Sequence, residues 1–248
     1  MKWKEQAIIL GTRSHGETSV ILEIMTHQRG RYMGVVKGGR SRRMAALLQP
    51  GNFVEAEWWA RLDEHLGLFR LEALYFHASR LMLFPEALYT LQLITFYLRL
   101  LPERDPHPVL YDILYLFMQN FDEPFLNAEL LVRFEMRLLE ELGFGLDLSC
   151  CVATGRQDNL YYVSPKSGRA VCEEAGQPWK DKLLLLPQFL AQRKHRPVDF
   201  NDIRDGLILT NFFLTRHIWE TRGIKQPSVR TNLIQLFERR FHRKALIG

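Results

Sequence analysis

The chain has few cysteines and no long apolar runs. Only 3 of its 248 residues are cysteine, and two of them, Cys150 and Cys151, are adjacent. So few thiols cannot form the disulfide framework of a small secreted protein and are typical of a reducing compartment. No segment reaches the roughly 18 uncharged apolar residues of a membrane-spanning helix, and the first residues do not form a signal peptide. These absences predict a soluble, cytoplasmic protein with no membrane partner.

The chain also lacks the motifs of common enzyme classes. It contains no HExxH zinc motif, no GxSxG nucleophile elbow and no GxGxxG dinucleotide fingerprint. Residues Gly11–Thr18 match the spacing of a phosphate-binding loop, but Glu17 occupies the position of the essential lysine and would repel phosphate. The adjacent acidic pairs at residues 140–141 and 173–174 point apart on a helix, which is typical of solvated faces. We therefore expect no enzymatic activity.

The cysteine spacing gives only an incomplete zinc-ribbon pattern. Cys151 and Cys172 lie 21 residues apart, and Thr154 and Ala175 stand where the second cysteine of each Cys-x2-Cys pair would be. A structural zinc site needs four ligands, and Cys150 is the one further thiol in the chain. We therefore expect no metal or other cofactor, with the cysteines packed as free thiols.

The charge is small overall and uneven along the chain. The 33 Lys and Arg against 28 Asp and Glu give a formal net charge of only +5. By segment, the charge is +3 over residues 1–77, −5 over residues 78–146, zero over residues 147–182 and +7 over residues 183–248. The basic C-terminal end suggests a further polyanion contact, with a solvated helix face as the favoured alternative. The cations in question are Arg230, Arg239, Arg240 and Arg243.

Acidic residues are missing altogether from one N-terminal stretch. Between Ile24 and Val54 there is no Asp or Glu, whereas six cations occur there. A cluster of this kind raises the local positive potential and attracts polyanions. A solvated loop without any ligand is an equally good interpretation of the charge pattern alone. The six cations are Arg29, Arg31, Lys37, Arg40, Arg42 and Arg43.

The first 75 residues have the pattern of short strands. Apolar side chains alternate at period two, and turn residues separate five such segments. Five strands in this length, with one long loop over Lys37–Asn52, predict a small barrel of the OB type. Paired glycines beside the cations of that loop allow the backbone and guanidinium groups to approach phosphates closely. The predicted strands are Lys4–Arg13, Ser19–Thr26, Arg31–Val36, Phe53–Arg61 and Gly67–Ala73.

Four aromatic residues of the predicted barrel are candidates to stack on nucleic-acid bases. They are Tyr32, Trp58, Trp59 and Phe69. Because side chains alternate along a strand, one of Trp58 and Trp59 should face the core. The other is then the stacking candidate, with packing against other parts of the protein as the alternative.

From about Ala78 the apolar period becomes helical, and prolines separate the helices. The predicted helices are Pro85–Leu98, Val109–Asn120, Asn127–Leu142, Leu183–Arg193, Ile203–Thr221 and Ser228–His242. The predicted fold class is α+β: a five-stranded OB-type barrel followed by a helical domain with a small irregular, degenerate zinc-ribbon-like insert. The predicted parts are the barrel (1–77), the first helical part (78–146), the insert (147–182) and the C-terminal helical part (183–248).

Four barrel segments resemble the N-terminal domain of the RecO family of recombination mediators. They are Arg13–Leu22, Thr26–Gly30, Val35–Arg40 and Leu48–Gly51. The helical segment Phe134–Phe144 and the cysteine-containing insert resemble the same family, so the resemblance covers essentially the whole chain. Two features depart from the family pattern. The metal-binding cysteines are incomplete, and the C-terminal end has diverged.

The resemblance implies a non-enzymatic, nucleoid-associated role in homologous recombination and in gap and double-strand-break repair. Members of the family bind single- and double-stranded DNA and anneal complementary strands. With RecR they load the RecA recombinase onto DNA coated by single-stranded-DNA-binding protein, whose acidic C-terminal tail they engage.

The resemblance also implies site residues. Lys37, Arg40, Arg42 and Arg43 should contact phosphates, and Arg29 and Arg31 complete the cluster. The acidic tail should enter an apolar pocket of the helical domain edged by cations. The candidates for that pocket are Arg133, Phe134 and Arg137.

Two other functions remain open from the residues alone. An RNA-binding OB-fold protein would share every feature of the barrel. A protein-interaction adaptor would use the helical domain and keep the barrel as a spacer. A metal-dependent nuclease is disfavoured, because the clustered carboxylates that such a site needs are missing.

Overall fold

The structure is a computed structural model that describes residues 1–62, 64–191 and 197–245, with side chains of the last helix through Phe241. The chain divides into two compact units, residues 1–124 (unit 1) and residues 125–248 (unit 2). The segment boundaries predicted after residues 77, 146 and 182 stay predictions. Of the helices in the described part of the chain, none is both long and apolar enough to cross a bilayer.

Unit 1 begins with a closed five-stranded barrel, which confirms the predicted OB-type fold. The strands follow the order β1-β2-β3-β5-β4, and β1 closes the ring against β4. All pairs are antiparallel except β3 with β5. The strands are β1 (Lys2–His15), β2 (Ser19–Thr26), β3 (Gly30–Val36), β4 (Phe53–Trp59) and β5 (Leu68–Tyr75). The long strand β1 pairs with both β2 and β4, and a bulge between Ile9 and Gly11 shifts its register against β2.

Three of the four aromatic stacking candidates lie inside the barrel. Tyr32, Trp58 and Phe69 are at most 5% exposed and belong to the apolar core. Trp58 donates its indole N–H to the carbonyl of Leu66 at 3.0 Å. Trp59 is 39% exposed, so the prediction that one Trp of the pair faces inward is confirmed. Base stacking by the three buried rings was the wrong interpretation, because their faces are covered by other core side chains.

Four helices complete unit 1. They are α1 (Arg42–Leu47), α2 (Ala78–Leu81), α3 (Pro85–Leu98) and α4 (Pro108–Gln119). Both α3 and α4 begin at a proline, where the missing N–H costs no intrahelical bond. The buried Asn52 accepts a hydrogen bond from the backbone N–H of Ala78 at 3.0 Å and thereby ties the barrel to α2.

Unit 2 is mostly helical and contains a small three-stranded sheet of order β7-β6-β8. The helices are α5 (Pro124–Glu141), α6 (Glu173–Gly176), α7 (Phe200–Leu214), α8 (Glu220–Arg222) and α9 (Ser228–Ala245). The strands are β6 (Leu160–Val163), β7 (Ala170–Cys172) and β8 (Leu184–Leu185). A π-helical turn, Thr215–Trp219, joins α7 to α8, so the predicted helix Ile203–Thr221 is continuous.

The predicted helix Leu183–Arg193 is wrong over its described part. Leu184 and Leu185 form β8 and pair with Val163 and Tyr162 of β6. A short run of leucines has no period that separates a buried strand from a helix. Pro187 cannot donate the backbone hydrogen bond of a helix interior, so the chain turns there instead. Arg193 lies outside the described residues.

A buried ion pair organises unit 2 around Arg230. The Arg230 side chain is 2% exposed and the Glu135 side chain is not exposed at all. Arg230 donates to both Glu135 carboxylate oxygens at 2.8 and 3.0 Å and to the carbonyl of Leu207 at 2.9 Å. It also donates to the Asn211 side chain at 2.8 Å, and the Thr210 hydroxyl donates to Glu135. These bonds connect α5, α7 and α9.

Candidate nucleic-acid interface

The segment of residues 37–43, here called the basic loop, is anchored firmly to the barrel. The backbone N–H of Gly39 donates to Val36 and that of Arg40 donates to Thr18, at 3.3 and 3.0 Å. Gly39 lies so close to β2 that a Cβ atom there would be 2.6 Å from Val20. Only glycine allows this approach, and the loop therefore has a defined position on the end of the barrel.

Helix α1 begins at Arg42, within the basic loop, in a region where the sequence predicted only a long loop. The hydroxyl of Ser41 caps it and accepts from the N–H of Met44 at 3.4 Å. Met44 and Leu47 pack against the barrel core. The side chain of Asn52 donates to two carbonyls of the last turn at 2.9 and 3.0 Å. Because the apolar side of α1 is covered, its two arginines, Arg42 and Arg43, are left exposed.

The four cations of the basic loop are exposed and lie within seven consecutive residues. Lys37, Arg40, Arg42 and Arg43 have no ion pair with a carboxylate anywhere in the described part of the chain. Arg40 instead donates to the carbonyls of Glu17 at 2.8 Å and Gly16 at 3.4 Å. This contact fixes the guanidinium against the β1–β2 turn. Cations with free charge and open donors are suited to phosphate oxygens.

Two lysines on another face of the barrel are paired with carboxylates, unlike the cations of the basic loop. On the β1–β4 pair, Lys2 forms a salt bridge with Glu57, and Lys4 forms one with Glu55 at 2.7 Å. The hydrogen bond to Glu55 raises the pKa of Lys4 and outweighs the opposing effect of desolvation, and the charge of Glu55 acts in the same direction as the hydrogen bond. Glu57 has a lowered pKa because Lys2 bonds to its charged form. Because these lysines are already paired with carboxylates, their face of the barrel attracts a polyanion less strongly than the basic loop does.

The structure does not bring Arg29 and Arg31 together with the basic loop. Arg29 lies in the β2–β3 turn, eight residues from Lys37 at the opposite end of β3, or roughly 25 Å along a strand. Its guanidinium stacks on Trp3, 5.3 Å from the ring centroid. Arg31 is 12% exposed and is paired with Glu23 at 3.1 Å. It also donates to the carbonyls of Leu98 and Leu101, both at 3.2 Å.

The candidates for the acidic-tail pocket lie on α5 in different surroundings. Phe134 is fully buried and cannot line an open pocket. Arg133 is 41% exposed, pairs with Glu129 at 2.7 Å and donates to the carbonyl of Phe189 at 3.0 Å. Arg137 is 31% exposed and pairs with Glu140 and Glu141 at 2.9 and 2.5 Å. The side chains of Arg133 and Arg137 both reach the surface.

The C-terminal cations also differ from one another. Arg230 is buried in the ion pair with Glu135, so the suggestion that it contacts DNA is wrong. Arg239 and Arg240 are exposed on α9. The side chain of Arg243 lies outside the described residues.

The two zinc-ribbon-like cysteines are buried next to Thr154. Cys151 and Cys172 are each 1% exposed, and the Thr154 hydroxyl lies 3.6 Å from the Cys172 sulfur. Cys150 is half-buried, with Arg169 3.9 Å from its sulfur. Within the described ranges, no three His, Cys, Asp or Glu side chains are grouped so that they could hold a metal ion. The absence of zinc stays a prediction.

Hydrogen bonds at Cys151 favour its thiolate form. Burial disfavours the charge, but bonds from the Thr154 hydroxyl and from the backbone of residues 153, 154 and 172 outweigh it. Together they lower the pKa of Cys151 to about 6. The folded pKa lies below the ordinary thiol value. Ionisation therefore stabilises the folded state at alkaline pH, and that contribution is lost as the pH falls to about 6.

We expect the variant Thr154→Val to raise the pKa of Cys151, because the hydroxyl donor to the thiolate is removed. The measurement is a pH titration of thiolate ultraviolet absorbance. The contribution of Cys151 is isolated by subtracting the titration of Cys151→Ser. An unchanged midpoint in Thr154→Val would show that the hydroxyl does not stabilise the thiolate.

A small closed barrel of the OB type that carries an exposed basic loop is the architecture of nucleic-acid-binding OB-fold proteins. Residues 1–74 match the family model described as Recombination protein O N terminal. Residues 86–223 match the model described as Recombination protein O C terminal. The chain belongs to the RecO family of DNA repair proteins, as the barrel motifs predicted.

Similar proteins cover the full length of the chain. The DNA repair protein RecO of Bartonella tribocorum is 82% identical over 247 residues, which is 100% of both chains. RecO of Bartonella bacilliformis is 81% identical over 245 residues, or 99% of this chain and 100% of the relative. RecO of Brucella abortus is 56% identical over 234 residues, or 94% of this chain and 95% of the relative. The family identifies a DNA repair and recombination protein, and neither matched model describes an enzyme.

Two cations of unit 1 outside the basic loop were missed by sequence reasoning. Arg13 and Arg99 are 86 residues apart in the chain, yet both line one cavity of unit 1. The outward direction of Arg13 depends on the β-bulge before Gly11, which shifts the strand register. The isolated Gly11 within the strand pattern is the sequence signal that could have indicated this bulge.

Proposed function

We propose that the chain binds single- and double-stranded DNA through the basic loop and anneals complementary strands. The observation that carries this proposal is the set of four exposed cations without carboxylate partners, held at fixed positions on an OB-type barrel. Their guanidinium and ammonium groups are suited to phosphates, which carry no base information. Binding should therefore tolerate any sequence, as a protein acting on many DNA gaps requires.

The proposal includes protein partners. We infer that the chain acts with RecR to load RecA onto DNA coated by single-stranded-DNA-binding protein, and that it engages the acidic tail of that protein. Support comes from the RecO family of the chain and from cations on unit 2. Arg133 and Arg137 remain in the proposed tail site, because their guanidinium groups are partly exposed. Phe134 is left out because it is buried.

Strand annealing tests this function directly. We expect the protein to accelerate duplex formation between complementary oligonucleotides, and to do so also when single-stranded-DNA-binding protein coats both strands. The rate is followed by energy transfer between dyes on the two strands. Coating protein without its acidic tail is the matched control and should reduce annealing of coated strands only.

If the protein accelerates annealing of uncoated strands but not of coated strands, it binds DNA without recognising the coating protein. That result would contradict the tail proposal. No acceleration under either condition would contradict annealing itself. Competition of DNA with RNA of the same length and sequence tests the RNA-binding alternative. Preference for RNA would replace the DNA proposal.

A further inference from the structure

A cationic cavity lies on the outer face of the barrel in unit 1, apart from the basic loop. It has a volume of about 400 Å³ and lies between β1, β2, β3 and the end of α3. Three guanidinium groups and one carboxylate line it, together with the apolar side chains of Ile21 and Met33. The charged groups belong to Arg13, Arg31, Arg99 and Glu23, so the cavity has a net charge of +2.

The single carboxylate of the cavity is already satisfied. Glu23 is 10% exposed, and Arg99 donates to it from Nε at 3.0 Å and from Nη2 at 2.5 Å. Arg31 donates to the other oxygen at 3.1 Å. Because both oxygens accept charged donors, Glu23 orients the two arginines, and its own charge is offset. The hydrogen bonds that Arg99 donates to Glu23 raise the pKa of Arg99 and outweigh the opposing effect of burial, so Arg99 stays charged.

Several donors in the cavity remain open. A guanidinium group has five N–H donors, and Arg99 uses those on Nε and Nη2 for Glu23 while its side chain stays 52% exposed. Arg13 is exposed and has no hydrogen bond or ion pair through its side chain to any residue that the structure describes. The two arginines therefore offer charge and planar donor sets to an oxyanion, which is the geometry that phosphate oxygens accept.

The floor of the cavity is kept open by a glycine. A Cβ atom at Gly11 would lie 3.6 Å from Nη2 of Arg99, which is ordinary contact, and the backbone there is not in the left-handed region. A branched side chain at this position would extend into the cavity without backbone strain. A larger side chain at Gly11 would therefore fill the cavity without changing its charge.

The cavity adjoins the basic loop along one hairpin. Arg40 is bonded to the carbonyls of Gly16 and Glu17 in the β1–β2 turn. Arg13 lies three residues before Gly16 on β1, or roughly 10 Å along the strand. A DNA backbone that leaves the basic loop across this turn would reach Arg13 next.

We propose that this cavity binds a backbone phosphate of the same DNA strand that the basic loop binds, through Arg13 and Arg99. The inference rests on the proposed DNA binding by the basic loop. It extends the path of the bound DNA strand onto the outer face of the barrel. An acidic peptide presents the same anionic chemistry, but the continuity with the basic loop through the β1–β2 turn favours DNA.

The test uses the full chain with Arg13→Gln, which removes the open guanidinium, and Gly11→Val, which fills the cavity. Lys180→Gln removes an exposed cation of unit 2 and is the matched control. Binding to a labelled oligothymidylate is measured by fluorescence anisotropy over a series of salt concentrations. We expect each cavity variant to bind roughly three- to tenfold more weakly. For Arg13→Gln the log–log salt dependence should also become less steep by about 0.7, the value for one phosphate of a single strand. The control should match the unaltered protein.

The outcomes separate this inference from the proposed function. If both cavity variants bind like the unaltered protein while replacement of the basic loop abolishes binding, the cavity is not a phosphate site and the DNA function stands. If the unaltered protein shows no salt-dependent DNA binding, both proposals fall. If the cavity variants keep DNA affinity but lose affinity for a poly-aspartate peptide, the ligand is an acidic peptide and the phosphate assignment is overturned. Thermal unfolding of each variant confirms that the barrel is intact.

Discussion

Replacement of Lys37, Arg40, Arg42 and Arg43 together by Ala is expected to weaken single-stranded DNA binding by roughly 100-fold or more at moderate salt. Each exposed cation that contacts a phosphate contributes counterion release and a charge-assisted hydrogen bond. The four have no carboxylate partner among the described residues, so their charges are not already offset by ion pairs within the protein. Affinity is measured by fluorescence anisotropy on oligonucleotides of several sequences. The loss should be similar for all of them, because phosphate contacts do not discriminate bases.

A variant with the same change in net charge is the control for this loss. Four exposed lysines of unit 2, replaced together by Ala, should leave DNA affinity within about threefold of the original, since long-range charge effects are screened by salt. They are Lys166, Lys180, Lys182 and Lys225. Equal losses in both variants would mean that net charge and not the basic loop determines binding. A loss confined to one DNA sequence would contradict phosphate recognition.

The variant Glu135→Gln is expected to reduce the free energy of unfolding of unit 2 by about 3–5 kcal/mol. It removes the carboxylate with which the buried guanidinium of Arg230 pairs at 2.8 Å, and breaking a buried ion pair by removing one charge is strongly destabilising. Urea unfolding followed by circular dichroism gives the free energy and its change. The change should appear in the transition that reports unit 2.

Two further variants test the origin of that loss. The double variant Glu135→Leu with Arg230→Met removes both charges and should recover much of the stability, because apolar replacements of a buried pair are often neutral. Arg137→Gln breaks ion pairs of a partly exposed guanidinium with two carboxylates on the same helix and should cost at most about 1 kcal/mol. A loss of less than 1 kcal/mol in Glu135→Gln would contradict the account of the buried pair.

The barrel could be predicted because each of its strands is marked by a pattern within a few neighbouring residues. Period-two alternation and turn residues gave strands that agree with the structure to within a few residues at each end. Helix α1 was missed because six residues form a stable helix only when tertiary contacts support them. Those contacts, from Met44 and Leu47 to the barrel core, involve strands distant in sequence. The strand β8 was mistaken for helix because a short run of leucines has no period that separates a buried strand from a helix.

The candidate site was predictable only in part. The exposed loop cations followed from the absence of acidic residues between Ile24 and Val54, since no nearby carboxylate was available to pair with them. Whether a particular arginine is free depends on partners elsewhere. Arg31 is held by Glu23 on the neighbouring strand and by carbonyls at the end of α3. Arg230 is held by Glu135, 95 residues away, and no sequence pattern reveals that contact.

The salt dependence of single-stranded DNA affinity tests the DNA-binding claim most directly. Four phosphate contacts from the basic loop predict a slope of about −3 in a plot of log affinity against log salt concentration, from roughly 0.7 per contact. The one further phosphate that Arg13 and Arg99 are proposed to bind would bring the slope to about −3.5. The variant without the four loop cations should lose most of this slope. A slope near zero for the unaltered protein, or the same slope in both proteins, would contradict DNA binding through the basic loop.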